Sequence, residues 1–99
     1  MRLIDLARVL RSKNAGPSTL TLDLMFAERA AYERACAAPA LTAERVAPLY
    51  GADVARVRVI HFPEALAIKI SLPRAVAGSP GDSDVYGAQQ HGPLLEVEV

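Results

Sequence analysis

The residues with the most chemistry to offer lie in one stretch near the C-terminus, residues 78–93. Between its glycines and prolines stand two carboxylates, a phenol, two amides and an imidazole, which belong to Asp82, Asp84, Tyr86, Gln89, Gln90 and His91. A long loop in a compact domain is usually either functional or disordered, and a disordered linker does not normally carry this set of side chains. The sequence therefore predicts an ordered, functional loop.

Three side chains of this loop suit proton transfer. His91 can act as a general acid or base because an unperturbed imidazole has a pKa near ~6.5. Tyr86 and Asp84 complete the candidate catalytic set, and the flanking glycines predict a partly exposed pocket around Tyr86 and His91. No other histidine, cysteine or neighbouring serine is placed by the sequence to form a triad with His91.

A metal site in the same loop is not predicted. Asp82 and Asp84 stand in an Asp-Ser-Asp run that superficially resembles the start of a calcium-binding loop. The twelfth position of such a loop would be Pro93, where a bidentate glutamate is required. The alternative is an Asx turn in which each aspartate bonds its own backbone. No cofactor is predicted either.

A second group of polar residues lies near the N-terminus, at Arg11, Lys13 and Asn14. These residues follow a predicted helix instead of opening one, so the helix dipole has the wrong direction for a phosphate cradle. A basic, capped helix end explains them without a ligand. If loop 78–93 folds over this end, Arg11 and Lys13 can hold a carboxylate beside Tyr86 and His91. The candidate ligand-binding residues are then Arg11, Lys13, Asn14, Asp82, Gln89 and Gln90.

Hydrophobic periodicity predicts the elements that must position these groups. Helical spacing begins at Leu3 and predicts a helix that ends near Lys13. Two further helices are predicted over residues 27–38 and between Thr42, as N-cap, and Gly51. Alternation predicts strands over residues 18–26, 57–61, 66–72 and 94–99. His61, which alternates with two valines, is predicted to be a core or partly covered histidine.

This order of elements predicts an α+β fold, with one four-stranded mixed or antiparallel sheet and helices packed on one face. The 99 residues suit a single domain over residues 1–99. Two edges of the predicted sheet lie open to pairing with another chain, so a homo- or hetero-oligomer is expected.

Composition narrows the compartment and the partners. With 11 basic and 11 acidic residues and a pI near 6.7, the chain has no electrostatic preference for nucleic acid or an anionic membrane. The single cysteine, Cys36, excludes an internal disulfide, and with no second thiol nearby a zinc cluster is not predicted. The N-terminus lacks a signal-peptide core and no apolar run approaches a membrane span, so a cytoplasmic protein is expected.

Three segments carry a resemblance to a known family. They are RSKNAGP at residues 11–17, ALAIK at residues 65–69 and GSPGDSDVYGAQQH at residues 78–91. The chain resembles, over almost its whole length, a family of roughly hundred-residue bacterial and fungal proteins of unknown function. Such proteins look like partners of the larger acyclic terpene utilisation AtuA-like proteins, encoded beside them or fused to their C-terminal end. The resemblance implies an accessory subunit in carboxylic-acid or acyl-CoA catabolism.

Three functions from different classes remain open. The first is an accessory or small subunit of an AtuA-like complex that lends loop 78–93 to a shared site. The second is an independent small lyase or hydratase that uses His91, Tyr86 and Asp84, although one small domain has little room to enclose a substrate. The third is a homo-oligomeric scaffold without catalysis. Any catalysis is expected to be of the lyase or hydratase type, together with a larger subunit.

Overall fold

A computed structural model describes residues 1–15, 18–73, 94 and 97–99. In this part of the chain the helices are α1 (Leu3–Leu6), α2 (Arg29–Ala37) and α3 (Ala43–Leu49), and the strands are β1 (Val9–Asn14), β2 (Thr19–Met25), β3 (Arg58–Phe62) and β4 (Ala67–Pro73). The strands form one sheet in the order β1-β2-β4-β3, and every neighbouring pair is antiparallel. The predicted α+β class with a four-stranded sheet is confirmed.

The core lies on one face of this sheet. Alternate residues of the two central strands are almost completely buried, namely Leu20, Leu22, Leu24, Ile68, Ile70 and Leu72. The helices pack on that face and add buried side chains, among them Leu3, Tyr32, Ala35 and Val46, to a single cluster. Full burial of each large aliphatic side chain stabilises the fold by about 1.5–3 kcal/mol. The opposite face of the sheet carries the alternate residues of each strand, which include charged and polar side chains as well as the apolar Val9, Met25, Ile60 and Phe62.

The predicted first helix is wrong beyond its first turn. Helix α1 ends when Ala7 adopts an extended backbone, with φ of −79° and ψ of 136°. The chain then enters β1, which pairs with β2 from Val9 opposite Met25 to Asn14 opposite Leu20. A short helix is marginal in water, whereas the strand gains a complete ladder and places Leu10 opposite Leu24 in the sheet. Lys13 thus lies in an edge strand and not at a helix end.

The other helices and the hairpin follow the sequence closely. Thr42 does occupy the N-cap of α3, but its hydroxyl donates to the carbonyl of Pro39 at 2.8 Å instead of capping the helix. Gly51 adopts a φ of +61° just after α3, a conformation that glycine permits at low cost. Strands β3 and β4 are joined by a short turn over Pro63–Ala65, as the sequence predicts.

The described C-terminal residues 97–99 pair with the N-terminus and not with the four-stranded sheet. The amide of Leu3 donates to the carbonyl of Val97 at 2.8 Å, and the amide of Val99 donates to that of Met1 at 2.9 Å. Arg2 and Glu98 form an isolated antiparallel bridge. The fourth strand of the sheet is therefore β1, and not the strand predicted over residues 94–99.

Candidate functional site

The structure describes only part of the predicted site. Arg11, Lys13 and Asn14 lie in β1, where the backbone of Asn14 pairs with Leu20. The remaining candidates lie outside the described residues. They are the catalytic set His91, Tyr86 and Asp84 and the ligand-binding residues Asp82, Gln89 and Gln90. The geometry of the site is therefore built from the strands.

Arg11 and Lys13 share the face of the sheet that the helices leave uncovered. Residues directly opposite in an antiparallel sheet point to the same face, and residues two apart in one strand do so as well. Arg11 is opposite Asp23, which is opposite Lys69 on the next strand. Lys13 stands in a second row with Thr21, Ser71 and Arg58.

Every lysine and arginine of the four described strands lies on this uncovered face. These four residues, Arg11, Lys13, Arg58 and Lys69, are called the basic sheet face below. Asp23 is the one acidic residue within those strands. A chain with no net charge thus concentrates positive charge on one side of its sheet.

Asp23 neutralises part of this charge. One of its carboxylate oxygens lies 3.5 Å from Nε of Arg11. The Asp23 side chain is 18% exposed and the Arg11 side chain 61% exposed, so water screens the ion pair and limits its contribution to at most about 1 kcal/mol. With Lys69 paired opposite Asp23 on the other side, a single carboxylate stands between two cations.

The second row has a cation at each end and two hydroxyl side chains between them. The Thr21 side chain is buried and its hydroxyl donates to the carbonyl of Lys13 at 3.4 Å. Ser71 lies beside it on β4, and Arg58 ends the row on β3. Three strand spacings separate Lys13 from Arg58, a span of about 14 Å. Hydroxyls and exposed cations in this arrangement can bind an extended or multiply charged anion.

Sequence reasoning found two of the four cations and missed Arg58, Lys69 and Asp23. Alternation in the hairpin does place Arg58 and Lys69 on the side opposite the core, so a signal was present. Their proximity to Arg11 follows from the pairing of β1 with β2. That pairing was hidden because β1 was predicted to be helical.

A second group of ionisable side chains lies on the helical side of the sheet. The ring of Tyr32 in α2 packs edge-on against Phe26 and against His61, with centroids 6.3 Å and 6.5 Å apart. Burial raises the pKa of the Tyr32 phenol, and a side-chain hydrogen bond with the half-buried Cys36 raises it further. His61 itself is exposed and is not a core residue, so of the two predicted alternatives only a partly covered histidine, with its ring against Tyr32, remains. It lies on β3, which has a neighbouring strand on one side only within the described sheet.

A shallow depression of about 290 Å³ adjoins this group and is lined by His61, Phe62, Pro63, Glu64 and Ala65. All five residues come from the end of β3 and the following turn, and no second element closes over them within this lining. Groups of three or more histidine, cysteine, aspartate or glutamate side chains able to hold a metal ion do not occur among the described residues. In the same part of the chain, the helices are too short or too polar to cross a membrane.

These features define a class of protein: a small α+β domain with one antiparallel sheet, helices on one face and cations on the other. The chain belongs to the family described as "Domain of unknown function (DUF4387)", which matches residues 3–98. No curated protein matches the chain, and no solved structure matches it.

Proposed function

We propose that this chain is a cytoplasmic accessory subunit of a larger AtuA-like enzyme complex in carboxylic-acid or acyl-CoA catabolism. In this proposal the basic sheet face holds the anionic part of the substrate, either its carboxylate or the phosphates of its coenzyme A ester. The larger protein supplies the rest of the pocket. The observation that carries the proposal is the placement of Arg11, Lys13, Arg58 and Lys69 on the sheet face left uncovered by the helices.

Charge supports the choice of an anionic ligand. Four cations against one carboxylate leave the strands with a positive face, although the whole chain is neutral. Arginine and lysine side chains bind carboxylates and phosphates through charge-assisted hydrogen bonds, and water limits each exposed contact to about 1 kcal/mol. The neighbouring hydroxyl of Ser71 adds an uncharged donor that can orient such a ligand, whereas the buried Thr21 hydroxyl already donates to the carbonyl of Lys13.

Shape supports the role of an accessory subunit. Small-molecule sites are usually concave and bury most of their ligand. The rows of the basic sheet face belong to one sheet layer and cannot by themselves enclose a substrate. A second protein that covers the face would supply the missing walls. The resemblance to partners of AtuA-like proteins gives the class of that second protein.

The role proposed for loop 78–93 rests on its sequence alone. His91, Tyr86 and Asp84 would serve proton transfer in the shared site, and Asp82, Gln89 and Gln90 would add polar contacts to the ligand. An independent lyase or hydratase would need the same three residues without a partner, so the two functions differ in whether activity requires the larger protein.

Titration with coenzyme A tests the ligand-binding half of the proposal. Binding to the chain, alone and mixed with the AtuA-like protein, is measured by calorimetry and by amide chemical shifts. Replacing Lys13 and Lys69 by alanine is expected to weaken binding at least about tenfold, because two charge-assisted contacts are lost. Arg45→Ala is the control, since Arg45 is an exposed arginine of α3 on the helical side. Equal loss in the control variant would contradict a specific basic face.

Light scattering on the mixture tests the subunit half. We expect a mass increase when the 10.6 kDa chain is mixed with the AtuA-like protein at micromolar concentration. An unchanged mass would refute the subunit role. Coenzyme A binding without complex formation would then favour the independent enzyme, and absence of both would favour the scaffold.

A further inference from the structure

Strand β3 lies at the edge of the sheet formed by the described strands and has an unusual set of exposed side chains. Arg58, Ile60, His61 and Phe62 are all exposed, and only Val59 is half-buried. Ile60 is 41% exposed and Phe62 is 45% exposed. Natural proteins usually protect such edges with charges, prolines or bulges, because an edge strand offers unpaired backbone groups to any other strand. Beyond Arg58, β3 has none of these protections.

Other exposed apolar side chains lie on β3 and on the two elements that precede it in the chain. Six large hydrophobic residues are exposed within the described part of the chain, and four of them belong to α3, β3 or the turn that leads into β3. These four are Leu49, Val54, Ile60 and Phe62. Scattered exposed hydrophobic residues are normal, but Ile60 and Phe62 lie two residues apart on one face of a single edge strand, which is typical of an association surface.

We propose that two copies of the chain pair through β3, antiparallel and about a two-fold axis at Ile60. The two sheets then form one continuous sheet of twice the width, with the helices of both copies on the same side. Residues at equal distances on either side of Ile60 come to lie opposite one another. The proposal does not depend on anion binding, since it rests on the exposed edge of β3 and on its self-complementary sequence.

The register follows from the length of the strand. Ile60 is the midpoint of β3, which runs from Arg58 to Phe62. Centring the pair on Ile60 lets every residue of β3 face a residue of the second β3. Any shift along the strand leaves residues at both ends without a partner and forfeits backbone hydrogen bonds.

The side chains are self-complementary in this register, as a two-fold interface requires. Ile60 meets the second copy's Ile60, and Arg58 meets its Phe62, a pairing of cation and aromatic ring that is favourable across strands. Just outside the strand, Arg56 lies four residues before Ile60 and Glu64 lies four residues after it. Opposite charges therefore meet at each end, and no two like charges lie opposite each other.

Cysteine cross-linking in the full-length chain tests both the pairing and the register. Each variant carries Cys36→Ala, so that the introduced thiol is the only one, and circular dichroism verifies its fold. In the proposed dimer, Ile60→Cys places the two Cα atoms about 4.5–5.5 Å apart, within the range for a disulfide. Phe62→Cys is the matched control on the same strand and the same face. Its two Cα atoms lie about 14 Å apart, too far for a bond.

Mild oxidation at micromolar concentration is expected to convert most of the Ile60→Cys chain to a covalent dimer, as seen by non-reducing electrophoresis and mass spectrometry. The Phe62→Cys chain is expected to stay monomeric in the same assay. Combining Arg58→Cys with Phe62→Cys should restore cross-linking, because these positions face each other. Equal cross-linking of the two single variants, or cross-linking of Phe62→Cys alone, would overturn the register. No cross-linking of any variant would overturn pairing with a second copy and leave the edge to a strand of another protein.

Discussion

The two edges of the sheet carry different side chains at their exposed positions. On β1 the exposed positions are the cations Arg11 and Lys13, while the apolar Val9 and Leu10 are half-buried. On β3 the exposed positions include Ile60 and Phe62. Both strands have a hydrogen-bonded neighbour on one side only within the described sheet. The exposed side chains, and not the backbone, decide what each edge can bind.

The difference assigns separate tasks to the two sides of one small domain. Charges on β1 oppose strand addition and attract anions. Apolar side chains on β3 favour a second strand and bury surface when it arrives. In the two proposals the sheet would hold an anion on its basic face and a second copy at β3, and Arg58 would belong to both surfaces.

The largest expected effect concerns the layer that supports both edges. Ile70, at the centre of β4, is completely buried. Ile70→Ala removes three buried carbon atoms and leaves a cavity, so the free energy of unfolding should fall by about 2–5 kcal/mol. Denaturant titration at low protein concentration, where the chain is monomeric, provides the measurement.

Ile60→Ala is the matched control for that substitution. Ile60 lies on β3 at the edge of the described sheet and is 41% exposed, so its truncation should cost less than about 1 kcal/mol in the same titration. If both variants lose equal stability, Ile60 is buried in solution even at low concentration, and the contrast between the central strand and the β3 edge is not real.

A smaller effect is expected when the exposed side chains of the two edges are exchanged. Ile60→Lys gives β3 the protection that β1 has, and it should raise the dissociation constant of the dimer at least about tenfold, which equals about 1.4 kcal/mol. Lys13→Ile removes protection from β1 and should increase association. Sedimentation velocity over a concentration series measures both changes. Ile4→Lys is the control, because Ile4 is similarly exposed, at 45%, on α1. A tenfold rise of the dimer dissociation constant in this control would contradict association through β3.

Much of this fold is encoded in local patterns. The alternation of Leu20, Leu22 and Leu24 predicts β2, and the same period on both sides of Pro63 predicts the hairpin of β3 and β4. Strand β1 escaped prediction because Leu3, Leu6 and Leu10 fit a helical period equally well. Its conformation is decided by pairing with β2, a tertiary interaction that no local window contains.

The site was predictable to a similar extent. Residue types alone marked Arg11 and Lys13 as candidates for anion binding, and the structure places both on one exposed face. The contribution of Lys69 and Arg58 depends on strand order, which the sequence pattern leaves open. The chemistry assigned to His91, Tyr86 and Asp84 stays a prediction, since those residues lie outside the described part of the chain.

Hydrogen exchange of backbone amides in β1 and β3 tests the contrast between the two edges most directly. We predict that the outward-facing amides of β3 become protected as protein concentration rises through the micromolar range, whereas those of β1 keep the same exchange rates. In Ile60→Lys the concentration dependence at β3 should disappear. Protection of β1 instead of β3, or rates at β3 that do not change with concentration, would contradict the account.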